Sequence, residues 1–434
     1  MIEEFLENSR LASLSFPRRV AILGSSGSIG RSALEVIAAS EGRLQVAMMS
    51  IHRRADILVE QVQQMRMRLV ADQLRSLEND AAHAQATAQL PQCVIMTDEW
   101  ADRTPLKDLP PEIEVRFGQE ALCEYVRRQE IDIVLSAIVG SAGFRSTWAA
   151  VEAGKTVALA NKESLVMGGP LLCELAKKTG GAILPVDSEH SAVLQCLRAR
   201  RMQAGEQTSA QTPHAEISKV ILTASGGPFR TWSLEQLAGA TVDDALAHPT
   251  WSMGKKITVD SATLMNKALE LIEARWLFDL PVEKLTAVIH PQSIVHSMVE
   301  FVDGSVIAQM SPPDMQLPIQ LALCFPERFD SPARRIDWHQ KMQLEFFPID
   351  SQRFPAIGLG LEVAATGGTA GAVLNAANEA AVEAFLDHRL PFTEITKICR
   401  SVLKNHDFES HPSLERLFEL DDWARQETEK WTAG

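Results

Sequence analysis

A chain of 434 residues exceeds what one hydrophobic core sustains, so two or three domains are expected. No stretch approaches the roughly 18 consecutive apolar residues of a membrane span, and the opening MIEEFLENSR is acidic where a signal peptide would be basic, so a cytoplasmic protein is expected. A formal charge of -14 disfavours nucleic acid, which is gripped by clustered Lys and Arg, and six scattered cysteines with no CxxC pair read as reduced thiols and not as a zinc site.

Residues 1–16 read as a flexible leader. From Arg18, RRVAILGSSGSIGRSALEVIAA gives an apolar strand over 20–23, a glycine-serine turn, and a helix with Leu34 and Ile37 on one face. Further strands are expected at 44–49, 94–96, 131–137, 156–160 and 182–186, with helix-like segments between most of them. Such alternation argues a parallel sheet covered on both faces. After Val186 the pattern breaks up. A polar surface excursion is expected at 200–216, a strand at 220–223 leading into SGGPF, and one long helix over 262–278. Strands at 287–289 and 305–309, with SIVHSMVEFV before the latter, fit a second sheet. Residues 326–350 read as a linker. The remainder is helical, with Gly367 and Gly368 stopping one helix and Thr393 and Ser413 at N-cap positions.

Gly24, Gly27 and Gly30 form GxxGxxG directly after a strand and opening a helix, the context in which a dinucleotide pyrophosphate rests on a helix N-terminus. A tight turn with no ligand is the plain alternative. The second strand ends in His52, Arg53 and Arg54, where an NAD-binding protein would place an acid. Two guanidinium groups there favour a 2'-phosphate and hence NADP, unless they merely start the next helix in solvent.

In LPVDSEHSAV, Asp187 and Glu189 stand two apart at a strand end, so an extended chain points both to one side. Carboxylates that close repel unless a cation, a proton or a basic partner intervenes. An all-oxygen site suits Mg2+ or Mn2+, although on the pair alone a solvated loop is the better reading. Downstream, Ser261, Asn266, Lys267 and Glu270 fall at the start of the expected long helix. Asn266 and Glu270 share a face, which offers a phosphate site and a third metal carboxylate; a solvent-facing helix with a Lys267–Glu270 pair is the alternative.

The segments AILGSSGSIG, ALANKESLV, LPVDSEHSA, HPTWSMGKKITVDSATLMNKALELIEA, HPQSIVHSMV and LNAANEAAVEAFL resemble, in order, those of 1-deoxy-D-xylulose 5-phosphate reductoisomerases. The resemblance implies an α/β protein with a Rossmann-like NADPH-binding domain (17–186), a central α+β catalytic and dimerisation domain (187–325), a linker (326–350) and a C-terminal helical bundle (351–434). It implies rearrangement and reduction of a small sugar phosphate in the non-mevalonate isoprenoid pathway, by a homodimer using NADPH and Mn2+ or Mg2+, with Co2+ a further candidate. Asp187, Glu189 and Glu270 would hold the metal, and Lys162 and Ser188 would touch the reacting oxygens. Ser225, Ser261, Asn266 and Lys267 would bind phosphate. His248 and His296 would line the pocket, with Trp251 and Met253 on a covering loop over 243–254. The cofactor would meet Ser25, Ser26, Gly27, Ser28, Ile29, His52, Arg53, Arg54, Ala137, Asn161, Glu163 and Gly254. SIHRRAD departs from the family's pattern at the second strand end, and segments 75–90 and 200–216 are longer than usual. A semialdehyde or homoserine dehydrogenase is the rival enzyme but lacks the acidic run paired with Glu270. A catalytically dead NADP sensor is the rival from another class, and turnover with substrate, NADPH and Mn2+ separates it.

Overall fold

The computed structural model describes residues 14–78, 90–204, 215–251 and 253–432. Chain order begins β1 (Arg18–Leu23), α1 (Ser28–Ala38), β2 (Leu44–Ile51), α2 (Ala55–Glu78), β3 (Cys93–Met96), β4 (Glu114–Phe117) and α3 (Gly118–Tyr125). It continues β5 (Ile133–Ser136), α4 (Phe144–Glu152), β6 (Thr156–Leu159), α5 (Lys162–Thr179) and β7 (Ala182–Pro185). The seven strands pair in parallel in the order β4-β3-β2-β1-β5-β6-β7. Val20 to Leu23, and Ile133 to Leu135, are wholly buried. Strands covered on both faces need such unbroken apolar runs and not alternation. β4 escaped the sequence reading because EVRF lies at the sheet edge, where none of its residues is fully buried and two are charged. The order reverses between β1 and β5, which opens a crevice beyond the carboxyl ends of those strands.

The second layer comprises α6 (Ser188–Ala204), β8 (Ile217–Ala224), α7 (Leu234–Ala238), α8 (Val242–Leu246), α9 (Lys255–Ala262) and α10 (Met265–Leu277). β9 (Leu285–Ile289), β10 (Val295–Phe301), β11 (Val306–Met310) and α11 (Gln316–Cys324) complete it. Its sheet runs β11-β10-β8-β9, with β10 antiparallel to both neighbours and β8 parallel to β9. The single helix expected over 262–278 is a correction. The chain breaks at Leu264, whose φ of 59° is left-handed, and Thr263 Oγ1 accepts from the Met265 N–H at 3.2 Å. That hydroxyl replaces a helical partner and lets α10 start in a new direction.

Among the described residues, 326–350 holds no helix or strand, only a bridge from Phe347 to Ile289. α12 (Ala356–Thr366), α13 (Ala370–Leu386), α14 (Ile395–Asn405) and α15 (Leu414–Thr432) follow. α13 lies against α5 and α12 against α10, so the bundle leans on both other layers. Gly367, with φ of 64°, ends α12, and Ser413 caps α15 by accepting from Arg416 N–H at 3.2 Å. Thr393 is no cap: it sits inside a short 3-10 turn ahead of α14. Of the leader, residues 1–13 lie outside the described residues, while Phe16 packs edge-on against Phe329. The longer segments expected at 75–90 and 200–216 fall mostly outside the described residues too, beyond the ends of α2 and α6.

Candidate active site

The glycine turn follows from steric need. Gly24 holds φ of 87°, and a Cβ there would meet the Ala137 carbonyl oxygen at 2.9 Å; one at Gly30 would stand 2.5 Å from Gly24 O. Only glycine lets the turn pack this close to β5 and α1. Gly27 precedes α1 with no side-chain cap, so the first N–H groups of that helix face the crevice with the positive end of the dipole. Ser28 and Ile29 line a cavity of about 400 Å³ that continues to the acidic residues below. Ser25 is different: its buried hydroxyl donates to Gln61 Oε1 at 2.8 Å, which pins the turn from behind. At the end of β2, His52 bonds Thr97 Oγ1 at 3.0 Å, and both arginines have acidic partners, Arg53 with Asp98 at 2.5 Å and Arg54 with Asp56 at 2.8 Å. The sequence reading did not foresee Asp98, which comes from beyond β3.

At the other end of the cavity stand Asp187, Glu189 and Glu270, each offering an oxygen within 4.8 Å of the others. The extended geometry expected for the first two is corrected. Asp187 precedes α6 and Glu189 lies in its first turn, so a helix start and not a strand brings them together. Glu270 enters from α10. Two ammonium groups interleave these carboxylates. Lys162 Nζ donates to Asp187 Oδ2 at 2.5 Å, Asn266 Oδ1 at 2.9 Å and Glu270 Oε1 at 2.9 Å. Lys267 Nζ donates to Glu189 Oε1 at 2.7 Å and to Glu270 Oε2. Burial alone would raise Asp187, but Lys162 and His190 outweigh it and hold this carboxyl well below its usual range. Burial and then the Glu270 charge push Glu189 up to about 7, Lys267 opposing. Three clustered carboxyl groups, Glu270 buried and Asp187 and Glu189 half-buried, face two cations and form an all-oxygen donor set that fits a hard divalent ion such as Mg2+ or Mn2+.

Beneath this layer lies a pair that the sequence reading missed. His190 Nδ1 is 3.1 Å from Glu273 Oε2, too poorly aligned for a directed hydrogen bond but close enough for an ion pair, and its Nε2–H donates to the Glu270 carbonyl at 2.9 Å. Burial would lower His190; the Glu273 carboxylate reverses that and raises it to about 9. The only signal was spacing, His190 three residues after Asp187 and Glu273 three after Glu270.

On the third side of the cavity Ser225 and Ser261 line the wall, and His248, which is not part of the lining, bridges their hydroxyls. His248 Nδ1 accepts from the Thr250 and Trp251 N–H groups at 3.1 and 2.9 Å, so the proton sits on Nε2, 3.1 Å from both serine hydroxyls. Burial lowers His248 and lowers His296 to about 4, so both rings are neutral near pH 7. Trp251 stands edge-on to His296, centroids 6.4 Å apart, and Met253 also lines the cavity. The covering loop expected over 243–254 begins later, because Val242–Leu246 is helical, and Ser252 lies outside the described residues. Of the expected cofactor residues only Ser28 and Ile29 line the cavity; Ser25, Ser26, Gly27, His52, Arg53, Arg54, Ala137, Asn161, Glu163 and Gly254 are not part of the lining. Asp314, Met315 and Arg334 are, although no sequence pattern marked them.

Sheet order, uncapped helix and carboxylate centre together define a class: a dinucleotide-dependent α/β enzyme whose chemistry runs beside a divalent cation. Comparison narrows the class to one family. A profile described as 1-deoxy-D-xylulose 5-phosphate reductoisomerase matches residues 20–85 and 73–169, and two profiles for C-terminal domains of the same enzyme match 183–278 and 310–427. The chain belongs to the 1-deoxy-D-xylulose 5-phosphate reductoisomerase family. It is 46% identical to the reductoisomerase of Rhodopirellula baltica, over 94% of this chain and 93% of that one, and 48% identical to that of Thermomicrobium roseum, over 94% and 95%. Among solved structures it resembles the Zymomonas mobilis enzyme in complex with NADPH, with a TM-score of 0.80, 38% identity and coverage of 96% and 99%. It also resembles a reductoisomerase in complex with NADPH, fosmidomycin and magnesium, with a TM-score of 0.82, 38% identity and coverage of 96% and 98%.

Proposed function

We infer that this chain rearranges and reduces 1-deoxy-D-xylulose 5-phosphate to 2-C-methyl-D-erythritol 4-phosphate, with NADPH and a divalent cation, in the non-mevalonate route to isoprenoid precursors. The observation that carries this reading is one continuous cavity with the uncapped N-terminus of α1 at one end and the three carboxylates at the other. Asp187, Glu189 and Glu270 would hold the cation. When bound, it supplies Lewis acidity to neighbouring carbonyl and hydroxyl oxygens, and NADPH supplies the hydride.

The chain's own groups do the remaining work. Lys162, from the first turn of α5, keeps a positive charge beside the oxygens that gain negative charge, and the Ser188 hydroxyl stands next to Glu189 Oε2 at 2.5 Å. Ser225, Ser261, Asn266 and Lys267 would anchor the phosphate, a part of the substrate that does not itself react, so that this binding energy can be used for orientation. His248 Nε2–H, already shared between two hydroxyls, is placed to donate to a substrate oxygen. Trp251 would exclude water once the segment over 247–254 closes. On the cofactor side, Ser26 and Gly27 to Ile29 would meet the pyrophosphate and His52, Arg53 and Arg54 the 2'-phosphate.

We place the protein in the cytoplasm as a homodimer whose contacts run through the central layer, beside a bundle that forms its own C-terminal domain. Among the described residues no helix is long and apolar enough to cross a membrane. Purified protein should consume NADPH only when substrate and Mn2+ or Mg2+ are both present. Consumption that ignores the cation, or none with any cation, would overturn the reading.

A further inference from the structure

Lys256 has no part in the reading above, yet it stands where all three layers meet. It is the second residue of α9, two beyond Gly254 at the root of the covering segment. Its ammonium donates to Glu163 Oε1 at 2.8 Å and pairs with Asp260 Oδ2 at 3.0 Å. Glu163, 4% exposed, adjoins Lys162 in the first turn of α5, and its other oxygen accepts from Asn161 Nδ2 at 3.0 Å. The same Asn161 amide reaches the Ile138 and Gly140 carbonyls at 2.6 and 2.9 Å, the loop after β5 that borders the crevice. On the other side, Asp260 Oδ1 accepts from the wholly buried Asn378 of α13 at 2.8 Å. Burial would depress Lys256, but Asp260, Glu163 and Glu379 outweigh it and keep the ammonium charged.

Asn161 and Glu163, 2% and 4% exposed, flank Lys162, which does line the cavity. A buried carboxylate keeps one orientation only while its counter-charge stays, because two such acids without a cation repel in a low dielectric. Lys256 therefore ties two elements to one point: the α5 turn that carries Lys162, and the start of α9 from which the covering segment departs.

We propose that Lys256 is a positioning residue that couples the cofactor side of the cavity to the covering segment on the substrate side, so that NADPH strengthens the binding of a substrate analogue through it. This rests on the reductoisomerase reading. The direct measurement is a binding cycle with Mn2+ present: fosmidomycin affinity with and without NADPH, in the parent and in Lys256→Gln and Lys256→Arg. Couplings between sites commonly reach about 5- to 150-fold and are reciprocal. NADPH is expected to tighten fosmidomycin at least about fivefold in the parent. Lys256→Gln should bring that factor close to one while analogue affinity without NADPH changes less than about threefold, and Lys256→Arg should restore much of it. A merely structural lysine would alter melting and leave the factor unchanged in the folded protein. The parent alone supplies a check that no misfolded variant can spoil: NADPH by itself should slow hydrogen exchange over 253–258. An unchanged coupling factor in Lys256→Gln, or no slowing in the parent, overturns the proposal. A parent that neither turns over substrate nor binds fosmidomycin fails at the reductoisomerase reading instead.

Discussion

Glu270→Gln is the sharpest probe of the acidic centre, since it removes one charge and no volume from a side chain that is 1% exposed. In the parent, three carboxyl groups face two ammonium groups, and the variant takes one negative charge out of that cluster. Unit charges 4 Å apart interact by about 4 kcal/mol at the effective dielectric of a protein site, and a dication doubles that. The remaining lysines and the amide oxygen of the new side chain soften the loss. Even a third of the unit-charge figure, about 1.4 kcal/mol, corresponds to tenfold in affinity. The Mn2+ concentration that half-saturates turnover should thus rise at least tenfold, and direct titration of Mn2+ without substrate should show the same weakening. NADPH binding, followed by its fluorescence, should change less than twofold, because the glycine turn lies at the far end of the cavity. Half-saturation by Mn2+ within threefold of the parent would refute the assignment of Glu270 as a ligand.

Three further outcomes follow from the geometry. Replacing Arg53 and Arg54 together with Ala should weaken NADPH at least about tenfold more than NADH, measured as the ratio of their KM values; equal weakening would leave the arginines as fold supports tied to Asp98 and Asp56. Trp251→Ala should raise the substrate KM and abolish the protection from protease that fosmidomycin with Mn2+ gives the covering segment, with little change in ligand-free melting; a drop of more than about 5 °C would instead mark permanent packing. Burial would raise Glu163, but Lys256 outweighs it and holds it below its ordinary value of 4.5. Its folded pKa is depressed, so the stability it contributes is present above 4.5 and lost as pH falls through the lowered value. The melting temperature of Lys256→Met should accordingly decline less steeply below pH 4.5 than that of the parent, and parallel curves would count against the pair.

Much of the fold was written in unbroken apolar runs and glycine punctuation, because strands buried on both faces and turns at helix starts leave signals within a few residues. Sequence alone could not show β4, whose polar edge position removes the apolar mark, or the break at Leu264, where the Thr263 hydroxyl, second in ATLMN, overrides the helical pattern. The site divides along the same line. Asp187, Glu189 and Glu270 stood out as residue types in short motifs, and family resemblance joined them. His190 with Glu273, Asp98 against Arg53, and Lys256 with Glu163 were hidden because each pair forms between elements that only the tertiary fold brings within reach, with at least 45 residues separating the partners.

The strand order has a dimensional consequence. The glycine turn leaves β1, Lys162 starts the helix after β6, and Asp187 follows β7, so the two ends of the cavity stand on one sheet edge three strand positions apart. Neighbouring strands lie about 4.8 Å apart, which makes that offset about 14 Å. Backbone hydrogen bonds, and not loops or side chains, set this length. Substitutions along the cavity can therefore change what is gripped at either end, but moving the glycine turn, the proposed cofactor anchor, relative to Asp187, a proposed cation ligand, would take the insertion or loss of a whole strand.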